Sequence, residues 1–180
     1  MSRLTVEALL AAYKAGKRDF QGADLRSADL FESNLSDANL SYSSLNQAYL
    51  PYANLSRTRL QQAQLAQAEL GNARLLAANL TEANLHKANL SYANLRGASL
   101  RGADLSETNL YCADLSEADL TGANLKGANL GRAQLRSTCF KDTQLSDCNL
   151  FRAQQADLTG AICDASTTYP DGHREPNDGG

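Results

Sequence analysis

The residues best suited to chemistry are four cysteines and two histidines, and their spacing does not favour a shared site. The cysteines form no CxxC pair, and the histidines are far apart in sequence. A zinc site needs about four converging ligands. We therefore predict free thiols in a reducing compartment, with no metal and no cofactor. The six residues are Cys112, Cys139, Cys148, Cys163, His86 and His173.

Catalytic motifs are also missing from the sequence. It contains no nucleophile elbow, no phosphate-binding loop and no HExxH pair. Its Asp and Asn residues are numerous, but they recur at one polar position of a repeat, as Asn34, Asn54 and Asn94 do. We predict that the chain is not an enzyme and takes no small-molecule substrate. The one alternative place for an active site is the interrupted segment from Gln155 to Tyr169, where no reactive set is evident.

Composition and charge exclude further classes. The 180 residues suit one domain. The hydrophobic 43% is mostly Leu and Ala, with no Trp, so the core must be built from one repeated unit. A formal net charge of −3 does not predict nucleic-acid binding. The short apolar N-terminal stretch contains Glu7 and is followed by Lys14, Lys17 and Arg18, unlike a signal peptide or a membrane span. We expect a cytoplasmic protein with no membrane association.

The elements that position these residues come from a five-residue repeat. Every fifth residue from Phe20 to Leu150 is Leu or Phe, at 27 consecutive positions, and we call these residues the centres. A small side chain lies two positions before each centre, with a polar residue between them, as in Ala103-Asp104-Leu105. Repeats of this kind predict stacked units that bury a continuous core.

A period of five fits neither regular helix nor regular strand. On an α-helix, side chains five residues apart differ in direction by about 140°, so the centres would scatter around the helix. On a strand, side chains alternate between two faces, so successive centres would point to opposite faces. A chain that bends once in each unit can place every centre inside, with the small residue sharing the narrow interior. Turn residues support the bend, because five glycines lie two positions after a centre. They are Gly22, Gly97, Gly102, Gly122 and Gly127.

The sequence A-(D/N)-L-x-x, repeated over about residues 18–163, resembles the pentapeptide-repeat family. The opening RDFQGADLRSADL and the closing TTYPDG are similar to loop-free members common in photosynthetic bacteria. The resemblance implies an all-β fold, a right-handed quadrilateral β-helix with four units and 20 residues per coil. At about 4.8 Å per coil, such a rod is on the order of 30–35 Å long.

The two ends depart from the repeat and define three regions. Residues 1–17 predict an N-terminal capping α-helix over residues 5–15, which Thr5 begins and Gly16 ends. The β-helix is expected over 18–163, although Gln155 interrupts the series and the pattern resumes out of step. Residues 164–180 are expected to form a C-terminal cap and a tail that is disordered from His173. The final coil could be covered by this segment or left free to form a homodimer.

Outward aromatic residues concentrate on one side of the expected rod. Taking positions modulo 20, we call the units centred on Leu30, Leu50 and every twentieth residue to Leu150 the third face. Six of the seven outward aromatics lie there, the exception being Tyr42. Exposed aromatics on a regular surface predict a protein contact, although tolerance of bulky residues is the alternative. The six are Phe31, Tyr49, Tyr52, Tyr92, Tyr111 and Phe151.

Two functions follow from these features. The first is a non-catalytic interaction or scaffold module that binds an unidentified protein partner. The second comes from the family, some of whose members mimic DNA and inhibit DNA gyrase, which conveys fluoroquinolone resistance. Mimicry needs a strongly negative stripe, whereas the four faces here carry net charges of 0, −1, −1 and +1 from residue 18 to 153. We therefore favour the interaction module and expect no direct binding of nucleic acid.

Overall fold

The computed structural model describes residues 4–174. From Asp19 onward the chain winds into a continuous stack of coils. Parallel bridges join residues 20 positions apart, from Asp19 with Asn39 to Gln134 with Gln154. Each coil therefore contains four five-residue units. Within residues 4–174 the pairing consists of single-residue bridges rather than continuous strands, because a two-residue turn interrupts each unit.

Every backbone amide of a typical unit has an acceptor. The Leu85 amide donates to the carbonyl of Asp104 at 2.7 Å, and the Lys87 amide donates to a carbonyl of the same following coil at 3.0 Å. Two further amides bond to the preceding coil and to the preceding centre. The remaining amide, that of His86, donates to Oδ1 of Asn84 at 3.0 Å. The polar position before each centre thus completes the backbone hydrogen bonding of its own turn.

The centres and the small residues form the core. Each centre from Leu25 to Leu150 is at most 1% exposed, and Phe20 is 5% exposed. Where the small residue is Thr, its hydroxyl donates to a core carbonyl, as Thr138 does to Leu115 at 2.8 Å. The buried hydroxyl is therefore satisfied, which keeps the cost of burying it low.

Each unit turns through a left-handed residue two positions after its centre. The backbone φ at this position is positive in all 27 units, between 52° and 69°. Only five of these positions hold glycine, and the others hold side chains as large as that of Tyr52. A residue with a Cβ atom costs about 1–2 kcal/mol in this conformation. The inter-coil hydrogen bonds and the buried centres must offset that cost in every turn.

The N-terminal helix α1 spans Val6–Lys14 and lies against the first coils. Thr5 begins it by accepting a hydrogen bond from the Ala8 amide at 3.2 Å, and Gly16 ends it with a φ of 97°. Leu9 is fully buried in the core cluster. The hydroxyl of Tyr13 donates to the carbonyl of Ser36 at 2.9 Å.

The last coil is shorter than the others. Gln155 is exposed where earlier coils bury a leucine, and it has a φ of 55°. After it, Gln144 pairs with Ile162 and Asn149 pairs with Thr168, which are offsets of 18 and 19 residues instead of 20. The last coil still pairs with the coil before it, because it has one or two fewer residues than the others at the corner near Gln155. The disorder predicted from His173 falls mostly on residues 175–180, which lie outside the described residues.

Candidate protein-interaction face

The aromatic residues of the third face do not form one continuous strip. Phe31, Tyr49 and Tyr52 form a cluster near the N-terminal end. The Phe31 ring stacks on Tyr49 and meets Tyr52 edge-on, each with ring centroids 6.0 Å apart. All three side chains stay about half exposed, between 46% and 55%. Aromatic pairs at this separation attract each other, so the cluster presents an ordered apolar surface to solvent.

A second pair lies two coils further on. The rings of Tyr92 and Tyr111 meet edge-on at 6.0 Å, with Tyr92 57% exposed and Tyr111 partly buried. The coil between the two groups carries Gly71 and Asn72 instead of aromatic residues. A Cβ atom at Gly71 would meet nothing closer than 3.8 Å. Packing therefore does not require glycine there, and its small size leaves a gap between the aromatic groups.

Phe151 is partly covered by the chain itself. The C-terminal segment pairs with the last coil, and the Arg152 amide donates to the Pro170 carbonyl at 2.7 Å. Gly172 lies so close that a Cβ atom there would be 3.2 Å from the Phe151 ring. The ring is 43% exposed. Phe151 thus lies against the C-terminal segment and differs in this respect from the other five aromatics of the third face.

The gap on the third face opens into a shallow cleft at the corner with the next face. It extends over four coils, from Glu32 past Tyr52 and Asn72 to Tyr92, with Arg74 on the adjoining side. Tyr52 and Tyr92 lie two coils apart, about 10 Å along the rod. Both have positive φ, 60° and 59°. The cleft thus has an aromatic residue on each side along the axis and polar groups between them.

Arg74 breaks a regular polar column, which we call the fourth-face column. In that column Asn34, Asn54 and Asn94 each accept a hydrogen bond from the amide two residues later, at 3.1 Å. A guanidinium cannot accept a hydrogen bond. Arg74 is exposed and has no ion pair with any residue of the described range 4–174. We did not predict this residue from the sequence, although its departure from the Asn pattern was a visible signal.

The cysteines lie in different environments. Cys139 is exposed, whereas Cys148 is fully buried. Burial, and to a smaller extent the nearby Cys163, raises the pKa of the Cys148 thiol to about 12. Among residues 4–174 there is no group of three or more His, Cys, Asp or Glu side chains that could hold a metal ion. The same part of the chain contains no helix with the length and hydrophobicity needed to span a membrane.

Comparison with known families defines the class of protein. The pentapeptide-repeat family model matches the chain in eight copies, with segments that extend from residue 19 to residue 150. The match covers well over half of the sequence and coincides with the coil described above. The chain therefore belongs to the pentapeptide-repeat family, which confirms the resemblance of its repeated unit.

The solved structures similar to this chain include two cyanobacterial proteins and one fluoroquinolone resistance protein. HetL, a protein involved in heterocyst differentiation regulation in Nostoc sp. strain PCC 7120, is 31% identical, with 96% of this chain and 100% of HetL covered and a TM-score of 0.48. Rfr23 from Cyanothece 51142 is 26% identical over 89% and 96% of the two chains, with a TM-score of 0.42. Full-length QnrB1, a plasmid-mediated fluoroquinolone resistance protein, is 23% identical over 81% and 79%, with a TM-score of 0.43. A search of curated proteins found no match.

Proposed function

We propose that this chain is a non-catalytic interaction module that binds a protein partner through the third face. The observation that carries the proposal is the pair of ordered aromatic groups on that face, Phe31 with Tyr49 and Tyr52, and Tyr92 with Tyr111. Four of the five side chains are 46–57% exposed, and Tyr111 is partly buried beside Tyr92. Tyrosines in this setting offer a large contact area at low conformational-entropy cost.

The backbone conformation gives a second reason. Tyr52 and Tyr92 occupy left-handed positions that glycine or asparagine fills at lower cost. Their rings gain little burial in return, since more than half of each is exposed. Stability alone does not favour tyrosine at these corners. Tyr42 shares this conformation and exposure, but Tyr52 and Tyr92 in addition each contact another aromatic ring of the third face. A partner contact made by these paired rings supplies a reason for their presence.

Charge distribution argues against DNA mimicry as the second candidate. Acidic side chains on neighbouring coils are paired with basic ones, as Asp37 is with Arg57 at 2.7 Å. Glu117 lies between two arginines, Arg96 at 2.9 Å and Arg136 at 3.4 Å. Alternating charges of this kind do not reproduce a row of phosphates. A supercoiling assay with DNA gyrase tests this alternative, and we expect no inhibition.

Affinity capture from the native lysate, followed by mass spectrometry, tests the third face. The test variant replaces Tyr52, Tyr92 and Tyr111 with Ser. The matched control is Tyr42→Ser, because Tyr42 is 55% exposed and has a positive φ of 60°. Tyr42 belongs to the first face, which comprises the units centred on Phe20, Leu40 and every twentieth residue to Phe140. We expect the triple variant to lose partners that the wild type and the control retain. Equal recovery by all three chains would refute the assignment of the face.

The same proposal includes three further expectations. The family resemblance implies right-handed winding of the coils, and the sequence leads us to expect a cytoplasmic location. A homodimer through the final coil is a further expectation, supported by Ile162, which is 54% exposed there. A solution mass measurement of the wild type and of Ile162→Asp tests it. A monomeric wild type would refute the dimer and leave the third-face proposal unaffected.

A further inference from the structure

We propose that the cleft between Tyr52 and Tyr92 binds an extended acidic peptide segment of the partner. In this arrangement an apolar side chain of the peptide lies between the two tyrosine rings, and a neighbouring carboxylate pairs with Arg74. The inference rests on the proposed function, because it assigns ligand chemistry to part of the third face. It involves no covalent step.

The dimensions of the cleft suit one flat or aliphatic side chain. Tyr52 and Tyr92 are two coils apart, about 10 Å along the axis. A group in contact with both rings needs about 3.5–4.0 Å on each side, so the spacing admits one layer, which the peptide side chain shares with the lining residue Asn72. Asn72 lies between the rings, and Gly71 beside it contributes no side chain that would fill the space.

The length of the cleft suits an extended backbone. From Glu32 to Tyr92 the lining residues cover three coil steps, about 14 Å. Four residues of extended peptide span that distance at about 3.4 Å each. Asn54 and Asn72 face this path with amide groups. Side-chain amides can both donate to and accept from a peptide backbone, so the cleft offers partners for the main chain as well as for side chains.

Charge decides where the carboxylate lies. Arg74 and Glu32 both line the cleft, but no ion pair joins them. Arg74 is therefore available for a bidentate bond to a carboxylate, the geometry that guanidinium favours. Glu32 at the other end repels an anion and fixes which end of the segment the acid occupies. A single arginine in a cleft that is also lined by Glu32 does not suit a polyanion, which disfavours nucleic acid as the occupant.

The test uses the intact chain and a phage-displayed library of random linear heptapeptides. We expect selected peptides to carry Asp or Glu within two positions of an aromatic or aliphatic residue. The dissociation constant of the most enriched peptide is then measured by fluorescence anisotropy for each variant. Arg74→Gln should weaken binding about tenfold or more, since it removes a charge-assisted hydrogen bond. Tyr92→Ser should weaken it by a similar factor.

The matched control is Arg59→Gln. Arg59 is also exposed, replaces Asn in a polar column, and has no ion pair within the described residues, but it lies on the first face away from the tyrosine pair. Its replacement should change the dissociation constant by less than about twofold. Unaltered thermal melts of all three variants establish that the fold is intact.

Three results of the peptide experiment would overturn the inference. The first is that the selected peptides contain no acidic residues. The second is that wild type and Arg74→Gln bind the most enriched peptide with equal affinity. The third is that no peptide is selected. Binding of a single-stranded oligonucleotide in place of peptides, lost in Arg74→Gln, would overturn it as well. If the triple tyrosine variant still loses its captured partners while Arg74→Gln keeps them, the interaction face stands and only the cleft assignment fails. If neither variant loses partners, both proposals fail.

Discussion

Nδ2 of Asn89 donates a hydrogen bond to the carboxylate of Glu69 on the preceding coil, at 2.8 Å. Three more asparagines continue the same column, Asn109, Asn129 and Asn149, each donating to the one before it at 3.2–3.4 Å. The four amide groups therefore point in one direction along the rod and end at a negative charge. Aligned hydrogen bonds of this kind polarise and strengthen one another.

Breaking this asparagine column should destabilise the coil. Asn109→Ala removes two inter-coil bonds and the bond that Oδ1 accepts from the Tyr111 amide at 3.2 Å. We expect a loss of about 1–2 kcal/mol in the free energy of unfolding, measured by guanidinium denaturation. Asn109→Asp keeps the bond from Tyr111 and should lose less. A wild-type stability for Asn109→Ala would show that the column contributes nothing.

Leu85 tests the core. Leu85→Ala should lower the free energy of unfolding by about 2–5 kcal/mol, because the side chain is fully buried in close-packed surroundings. Leu85→Asp places a carboxylate among apolar side chains, and we expect the chain to unfold or its thermal melt to split into two transitions. An unchanged melt for Leu85→Asp would contradict the inward position of the centres.

Ala77 tests the cost of the left-handed corner. Its φ is 52°, so the β-branched substitution Ala77→Val should destabilise by about 1–2 kcal/mol. Ala77→Asn should leave the melting temperature unchanged or raise it, since asparagine adopts this conformation more readily. Ala66→Val is the control, because Ala66 lies in the turn of its unit without a positive φ. Equal effects of the two valine variants would show that the corner is unstrained.

The cysteines should differ in their reaction with a thiol reagent at pH 8. Only the thiolate reacts, and burial raises the pKa of Cys148 to about 12, so at pH 8 this thiol stays protonated as well as inaccessible. The exposed Cys139 should react first. We expect Cys139→Ser to remove the fast phase, and Cys148→Ser to change only the number of thiols released by denaturant. A fast phase lost with Cys148 would contradict its burial.

The leucine spacing predicted the repeat, and Gln155 marked the end of its regular part. Both follow from hydrophobic burial, which depends on residue type and spacing alone. The coil size did not follow from the period. A five-residue unit is compatible with several numbers of units per turn, and four came from family resemblance before the bridges at 20 residues were seen.

The turns and the cleft were less predictable. Five glycines indicated turns, but the other corners have the same positive φ with ordinary residues, because the inter-coil bonds impose it. The polar residue before each centre was recognised as a regular position of the repeat, but its bond to the amide two residues later was not predicted. Arg74 became a candidate only when Tyr52 and Tyr92 were found on either side of it. The proximity of Tyr52, Arg74 and Tyr92 depends on the stacking of three coils, so it could not be read from neighbouring residues in the sequence.

Site-specific photo-crosslinking tests the interaction face most directly. A benzophenone amino acid replaces Tyr92 on the third face, or Tyr42 on the first face, and the chain is irradiated in its native lysate. The two positions share exposure above one half and positive φ, but lie on different faces, and the Tyr92 ring also contacts Tyr111. We predict a discrete protein adduct from position 92 and none from position 42. Adducts of equal yield from both positions, or an adduct from position 42 alone, would contradict the assignment of the third face.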